Sequence, residues 1–185
     1  VIFKKIYKFN KELIYINKIL LLLLLFSINS FNFADVTDDL FNGIKNNNIE
    51  IVKNAIENGA ILDEVKDGQT PMEIAIQNNN KVIASLLISS GIEINEESLN
   101  IAAKYNSVDI AKLLVNLGVY PSSETIYLIV NHNSTDMINL FVNFKLDLKS
   151  IVNNYHIHNA IKNDEAKICK VLIENINLDD YEEYL

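Results

Sequence analysis

Arginine and tryptophan are absent from this chain of 185 residues, cysteine occurs once, and no uninterrupted apolar run exceeds eight residues. Each shortage narrows what the protein can do. Without arginine, the planar two-pronged grip on phosphate or carboxylate is unavailable anywhere on the surface. The lone Cys169 has no partner for an internal disulfide, and zinc-type cysteine spacings are missing. The apolar run, Ile19 to Phe26, falls well short of the ~20 residues that a membrane-spanning helix needs. Phosphate-cradling loops and triad-like combinations of nucleophile and base do not occur either. Neither a cofactor nor a small-molecule substrate is expected.

Charge is divided sharply along the chain. Five lysines (Lys4, Lys5, Lys8, Lys11, Lys18) precede the apolar run beside a single acid, Glu12. From Asp35 onward, 11 Lys face 23 Asp and Glu, a formal net charge of −12, which repels nucleic acid and anionic membrane and favours a partner protein with a basic face. The basic stretch, the apolar run and the polar Ser27, Asn29, Ser30 and Asn32 before Ala34 follow the order of a signal peptide over residues 1–34. Cleavage is expected between Ala34 and Asp35, with a cut after Ser30 as the alternative. An uncleaved anchor starting near Leu13 would instead keep the protein at the inner membrane. No cysteine lies near the cut, which closes the lipoprotein route.

After residue 35 the chain repeats itself. Gly59, Gly91 and Gly118 lie 32 and 27 residues apart, and the columns Leu40, Met72, Leu99, Ile126, Ile157 and Gly43, Ala75, Ala102, Ile129, Ala160 keep step with them. Thr70 is placed to cap a helix opened by Pro71, and Glu73 completes a capping box. Asn95 and Ser122 serve as caps where Thr-Pro is missing. Asn47, Asn79, Asn106, Asn133 and Asp164 stand where a helix ends in the left-handed conformation, which Asn and Asp tolerate best after Gly. Each is followed by a second apolar period: Ile51/Val52/Ile56, Ile83/Ala84/Leu87, Ile110/Ala111/Leu114, Met137/Ile138/Phe141 and Ile168/Cys169/Leu172. Five helix-turn-helix units result, at about 35–66, 67–95, 96–122, 123–152 and 153–180. One such unit cannot bury its apolar side alone, so neighbouring copies must supply the core.

The string Asp67-Gly68-Gln69-Thr70-Pro71-Met72-Glu73-Ile74-Ala75, followed by Leu86-Leu87-Ile88-Ser89-Ser90-Gly91, resembles the ankyrin-repeat family, with Met72 for Leu and Glu73 for His in the Thr-Pro-Leu-His-x-Ala signature. The resemblance implies an all-α solenoid of about five units over residues 35–185. It departs from the family in its fingers. Only Ala60 to Gly68 carries a complete β-hairpin signal, whereas Gly91 and Gly118 are each followed by four residues before the next helix. The joint Leu146 to Asn154 has no glycine, and Lys145 and Ile176 occupy the expected glycine positions. Asp38 and Asp39 suggest a polar N-terminal cap, and Asp179 to Leu185 an exposed charged tail.

Little else invites chemistry. His156 and His158, two apart on a helix, point about 200° away from each other and cannot clasp one metal ion, so they read as helix-start and surface residues. Cys169 shares a column with Val52, Ala84, Ala111 and Ile138 and reads as a buried apolar side chain. By the resemblance, partners touch the wall made by first helices and fingers. The columns Lys45, Gln77, Lys104, Asn131, Lys162 and Asn46, Asn78, Tyr105, His132, Asn163 then form a polar, mildly basic contact strip with Tyr105 as its aromatic anchor. The expected function is non-catalytic: a scaffold or adaptor binding another protein in the periplasm or outside the cell. The alternatives are an inhibitor or immunity-type protein acting on an exported enzyme, and a membrane-tethered assembly factor if the leader is retained.

Overall fold

The computed structural model describes residues 2–175, with side chains placed for 14–24 and 35–175. Among the described residues there are ten α-helices and no strand. They fall into five antiparallel pairs: α1 (Ile2–Lys45) with α2 (Ile49–Glu57), α3 (Pro71–Gln77) with α4 (Lys81–Ser89), α5 (Glu96–Lys104) with α6 (Val108–Asn116), α7 (Ser123–Asn131) with α8 (Thr135–Asn143), and α9 (Asn154–Lys162) with α10 (Ala166–Asn175). First helices stack on first helices, α1 on α3, α3 on α5, α5 on α7 and α7 on α9. Second helices form the other layer, α2 on α4, α4 on α6, α6 on α8 and α8 on α10.

Helices of seven to ten residues are too short to persist alone in water, so their ends and faces decide where they form. Thr70 accepts from the Glu73 N–H while Glu73 accepts from the Thr70 N–H, closing the expected capping box with Pro71 in the first turn. Asn95 and Ser122 cap α5 and α7 through reciprocal bonds with Ser98 and Thr125. All five first helices then turn through a left-handed residue, Asn47 (φ 53°), Asn79 (48°), Asn106 (51°), Asn133 (52°) and Asp164 (59°). Lys145, at φ 54°, adopts the same region in place of the glycine that closes other second helices.

Between the two layers lies one continuous core. The columns from second helices supply Val52, Ile83, Ala84, Leu87, Ile110, Ala111, Leu114, Met137, Ile138, Phe141, Ile168 and Leu172, all buried. Three members of those columns differ from expectation, Ile56 among them, which is half-buried. Ile51 is 38% exposed, because the first pair closes around Val52 and Ala55 instead, and Cys169 is only half-buried at the margin of the last pair. Gly43 has a packing reason: a Cβ there would come within 3.0 Å of Val52 and Ile51 side-chain carbons, so α1 and α2 approach too closely for alanine without a shift.

Polar bonds cross every joint of the stack. Asn78 Nδ2 donates to the Ile44 carbonyl (3.0 Å) and Asn80 Nδ2 to Asn47 Oδ1 (3.0 Å), linking the first two pairs. Ser107 Oγ donates to the Ile76 carbonyl (2.5 Å), Ser134 Oγ to the Ala103 carbonyl (3.2 Å), and Thr125 Oγ1 to Asn100 Oδ1 (2.6 Å). Ser107 and Ser134 open α6 and α8 without a side-chain cap bond to their own helix, the hydroxyl being committed to the preceding repeat. These bonds satisfy groups that burial would otherwise penalise.

α1 joins two unlike segments without interruption. Ile14 to Leu24 are exposed, whereas packing starts at Val36 and continues through Thr37, Leu40, Phe41 and Ile44. The expected cleavage position, between Ala34 and Asp35, therefore falls within a helix, just ahead of the residues that pack. No helix is long and apolar enough to cross a membrane among the described residues. Ile176 and the acidic tail Asp179 to Leu185 lie outside them.

Candidate protein-binding face

The two aligned columns become helix ends. Lys45, Gln77, Lys104, Asn131 and Lys162 are each the last residue of a first helix, and Asn78, Tyr105, His132 and Asn163 are the C-cap residues that follow. All nine partner-binding candidates, Lys45, Asn46, Gln77, Asn78, Lys104, Tyr105, Asn131, His132 and Lys162, are exposed. They follow one edge of the first-helix layer. A structural role accounts for part of the pattern: lysine at a helix C-terminus meets the negative end of the helix dipole. Asn78 also bonds to Ile44, and the Lys45 ammonium pairs with Asp67 at 3.1 Å.

The finger stands beside this edge as a single tight turn. Asp67 (φ 55°) and Gly68 (φ 78°) both take positive φ, as the two central residues of a type I′ hairpin turn must, and Lys66 and Gln69 exchange backbone bonds of 3.0 and 3.1 Å across it. Besides the Lys45–Asp67 pair, three contacts hold it. Lys66 pairs with Asp38 of α1, whose carboxylate holds the lysine above its ordinary pKa; the Thr37 hydroxyl accepts from the Ile61 N–H (3.0 Å); and Gln69 Nε2 donates to Gln77 Oε1 (2.8 Å).

A groove of about 410 Å³ opens between the finger and α5 and α7. It is lined by Gly68, Gln69, Glu73, Glu97, Asn100, Ile101, Lys104, Tyr105, Glu124 and Leu128. Of the nine candidates only Lys104 and Tyr105 belong to it. The Lys104 ammonium lies 5.5 Å from the centre of the Tyr105 ring, which is 39% exposed. The remaining candidates are aligned by their helix ends but are not part of this groove. What the basic-strip reading left out is the opposite end of the same helices, where Glu73, Glu97 and Glu124 sit in the first turns of α3, α5 and α7. The signal was available, since Glu97/Glu124 and Ile101/Leu128 each repeat at 27 residues, the spacing that already aligned the core.

His156 stands at a helix start as expected, third in α9, but it is not a surface residue. It is 1% exposed and wedged between α9 and α7. Its Nδ1 accepts the Asn153 N–H (3.1 Å), which assigns the proton to Nε2, and Nε2–H donates to the Ser123 carbonyl (2.9 Å). Burial lowers its pKa below the ordinary imidazole value, opposed by the Ser123 carbonyl and the charge of Glu124. His158 is exposed, in keeping with the opposed directions of the two rings, and His132 lies on the surface at the end of α7, in the preceding repeat. Among the described residues no group of three His, Cys, Asp or Glu side chains is placed to hold a metal ion.

Paired short helices stacked in two layers, with left-handed turns in register and a polar face along the first helices, define an α-helical repeat solenoid. The sequence pattern described as "Ankyrin repeats (3 copies)" matches residues 16–98 and 40–125, and the chain belongs to the ankyrin-repeat family. Such repeats make it a protein–protein interaction module, of a family that is in general non-catalytic. Over 56 residues, 30% of the chain, it is 36% identical to the Caenorhabditis elegans protein "BRCA1-associated RING domain protein 1", and that match spans 8% of the relative's length.

Proposed function

We propose that the protein is an exported, non-catalytic scaffold or adaptor that holds a partner protein along its first-helix face, in the periplasm or outside the cell. The observation that carries the binding reading is the groove at α5 and α7, where an exposed tyrosine under a lysine ammonium stands beside Ile101 and Leu128. A half-exposed aromatic amid polar residues is the usual anchor of a protein contact, because it buries a large area at small entropic loss. Export is supported by the order of charge, apolar run and polar residues over 1–34, and by the start of packing at Val36, so that loss of the leader would leave the described core whole.

Crosslinking and pull-down from native envelopes test the binding reading. The wild-type chain is expected to capture one dominant partner, and Tyr105→Ala to lose it; undiminished capture would remove this face from consideration. Mass spectrometry of the exported product tests the location. A first residue of Asp35 is expected, and an intact leader would instead mean a tethered protein.

A further inference from the structure

The shortened joint after Gly91 leaves an opening that a full-length repeat would close. Gly59 and Gly91 are 32 residues apart but Gly91 and Gly118 only 27, and the missing residues are those of a second finger. The finger at 60–69 therefore faces, across the start of α5, the low chain of Ile92, Glu93, Ile94 and Asn95. Between them lies a notch of about 550 Å³, within the ~300–1,000 Å³ span of clefts that hold ligands. Leu62, Ile92 and Ile101 are half-buried in its walls and Met72 and Ile76 are buried in its lining. Asp63, Glu73, Glu93 and Glu97 also line it, and no lysine does.

We infer that this notch takes an apolar side chain from a lysine- or arginine-flanked segment of the partner protein. The inference rests on the protein-binding reading above and specifies which chemistry the partner presents. Apolar walls alone would accept any greasy residue. The four acids decide against an acidic segment, because like charge beside a low-dielectric wall is unfavourable on approach, and in favour of a basic one, which they steer and retain. The field of the whole domain has the same sign, at −12 from Asp35 onward. Glu73 is held by its bond to the Thr70 N–H, and Glu97 accepts from Asn100 Nδ2 (3.4 Å), so two of the four carboxylates are fixed before anything binds. The notch meets the Tyr105 groove through Glu73, Glu97 and Ile101, which line both, so one extended segment reaches from the apolar pocket to the aromatic anchor.

The test is a titration of the full chain, with Ile and Leu methyl groups labelled, against three amidated peptides: Lys-Lys-Leu-Lys-Lys, Lys-Lys-Ser-Lys-Lys and Glu-Glu-Leu-Glu-Glu. The first is expected to shift the methyl signals of Leu62, Ile92 and Ile101. The serine peptide should bind about tenfold more weakly, the fold-change that losing one buried leucine implies. The acidic peptide should leave these signals in place. Glu93→Gln with Glu97→Gln should weaken the leucine peptide by about fivefold or more and flatten its salt dependence. Equal binding of the leucine and serine peptides, a response to the acidic peptide, or shifts that bypass these three methyls would each overturn the inference. The titration uses neither Tyr105 nor the native partner, so its result is independent of the capture experiment.

Discussion

The pair α5–α6, in the middle of the stack, and the pair α9–α10, at its described end, share one outline but are built from different materials. The middle pair buries Leu99, Ala102, Ala103, Ile110, Ala111, Leu114 and Val115, and packs on α3 and α4 on one side and α7 and α8 on the other. The last pair buries Ala160, Ile168 and Leu172 together with an imidazole, while Ile157 and Cys169 remain half-exposed. A solenoid's stability is close to a sum over repeats and their interfaces. A pair gripped on two sides by apolar contacts should therefore hold the whole array, whereas one anchored by a buried histidine should respond to pH.

Two substitutions at equivalent depth probe this difference most strongly. Leu114 is fully buried where α6 meets both neighbours, and Leu114→Asp adds an unpaired charge to the loss of leucine packing, roughly 4 kcal/mol or more. Because both interfaces of the middle pair fail together, far-UV circular dichroism should report loss of most of the helix. Leu172→Asp, equally buried in the last pair, should remove helix only from the final repeats, with amide exchange in α3 to α6 still slow. If the two variants unfolded to the same extent, the array would be a single cooperative unit and the comparison would not hold.

Next in size is the response to acid. The folded chain keeps His156 below its ordinary pKa, so as pH falls through about 6.5 the unfolded chain takes up the proton first. The histidine's contribution to stability is thus complete above that pH and declines on acidification until the folded-state pKa is passed. Protonation at Nδ1 would also set its new N–H against the Asn153 N–H that Nδ1 now accepts. Relative to the intrinsic exchange rate at each pH, the protection of α9 and α10 amides should fall between pH 7 and pH 5 by more than that of α5 and α6. In His156→Gln that excess should vanish.

The middle repeats were legible in the sequence because their signals are local and repeated. Thr70-Pro71 with Glu73, the caps Asn95 and Ser122, and the left-handed Asn column each follow from how a short helix must start and stop. Ile51 escaped that logic, since helical periodicity places it beside the core without saying how far the neighbouring α1 reaches. His156 escaped for a stronger reason. Its cap bond to Asn153 is local, but its burial depends on Ser123, 33 residues earlier in the chain, and a polar residue at a helix start reads as solvent-facing until that contact exists. The candidate face was half legible: alignment located the exposed helix ends, but the groove needs the finger beside α5 and α7, a distance that no column encodes.

The smallest effects lie at the turns that close second helices. Gly118 closes α6 at φ 91°, a conformation in which a Cβ meets nothing within 4 Å yet is disfavoured by its own backbone. Gly118→Ala should destabilise by about 1 kcal/mol, all of it conformational. At the corresponding turn after α8, Lys145 already bears that strain at φ 54°. Lys145→Gly should therefore change stability in the opposite direction, by a smaller amount of roughly 0.5 kcal/mol, because glycine's gain in the left-handed region is offset by its freedom in the unfolded chain. Urea denaturation of both variants measures the pair. Opposite signs would mean that the two closures are one turn occupied by two residue types, and that the loosening of the later repeats begins in part at this lysine. Equal signs would place the difference between the pairs wholly in their cores.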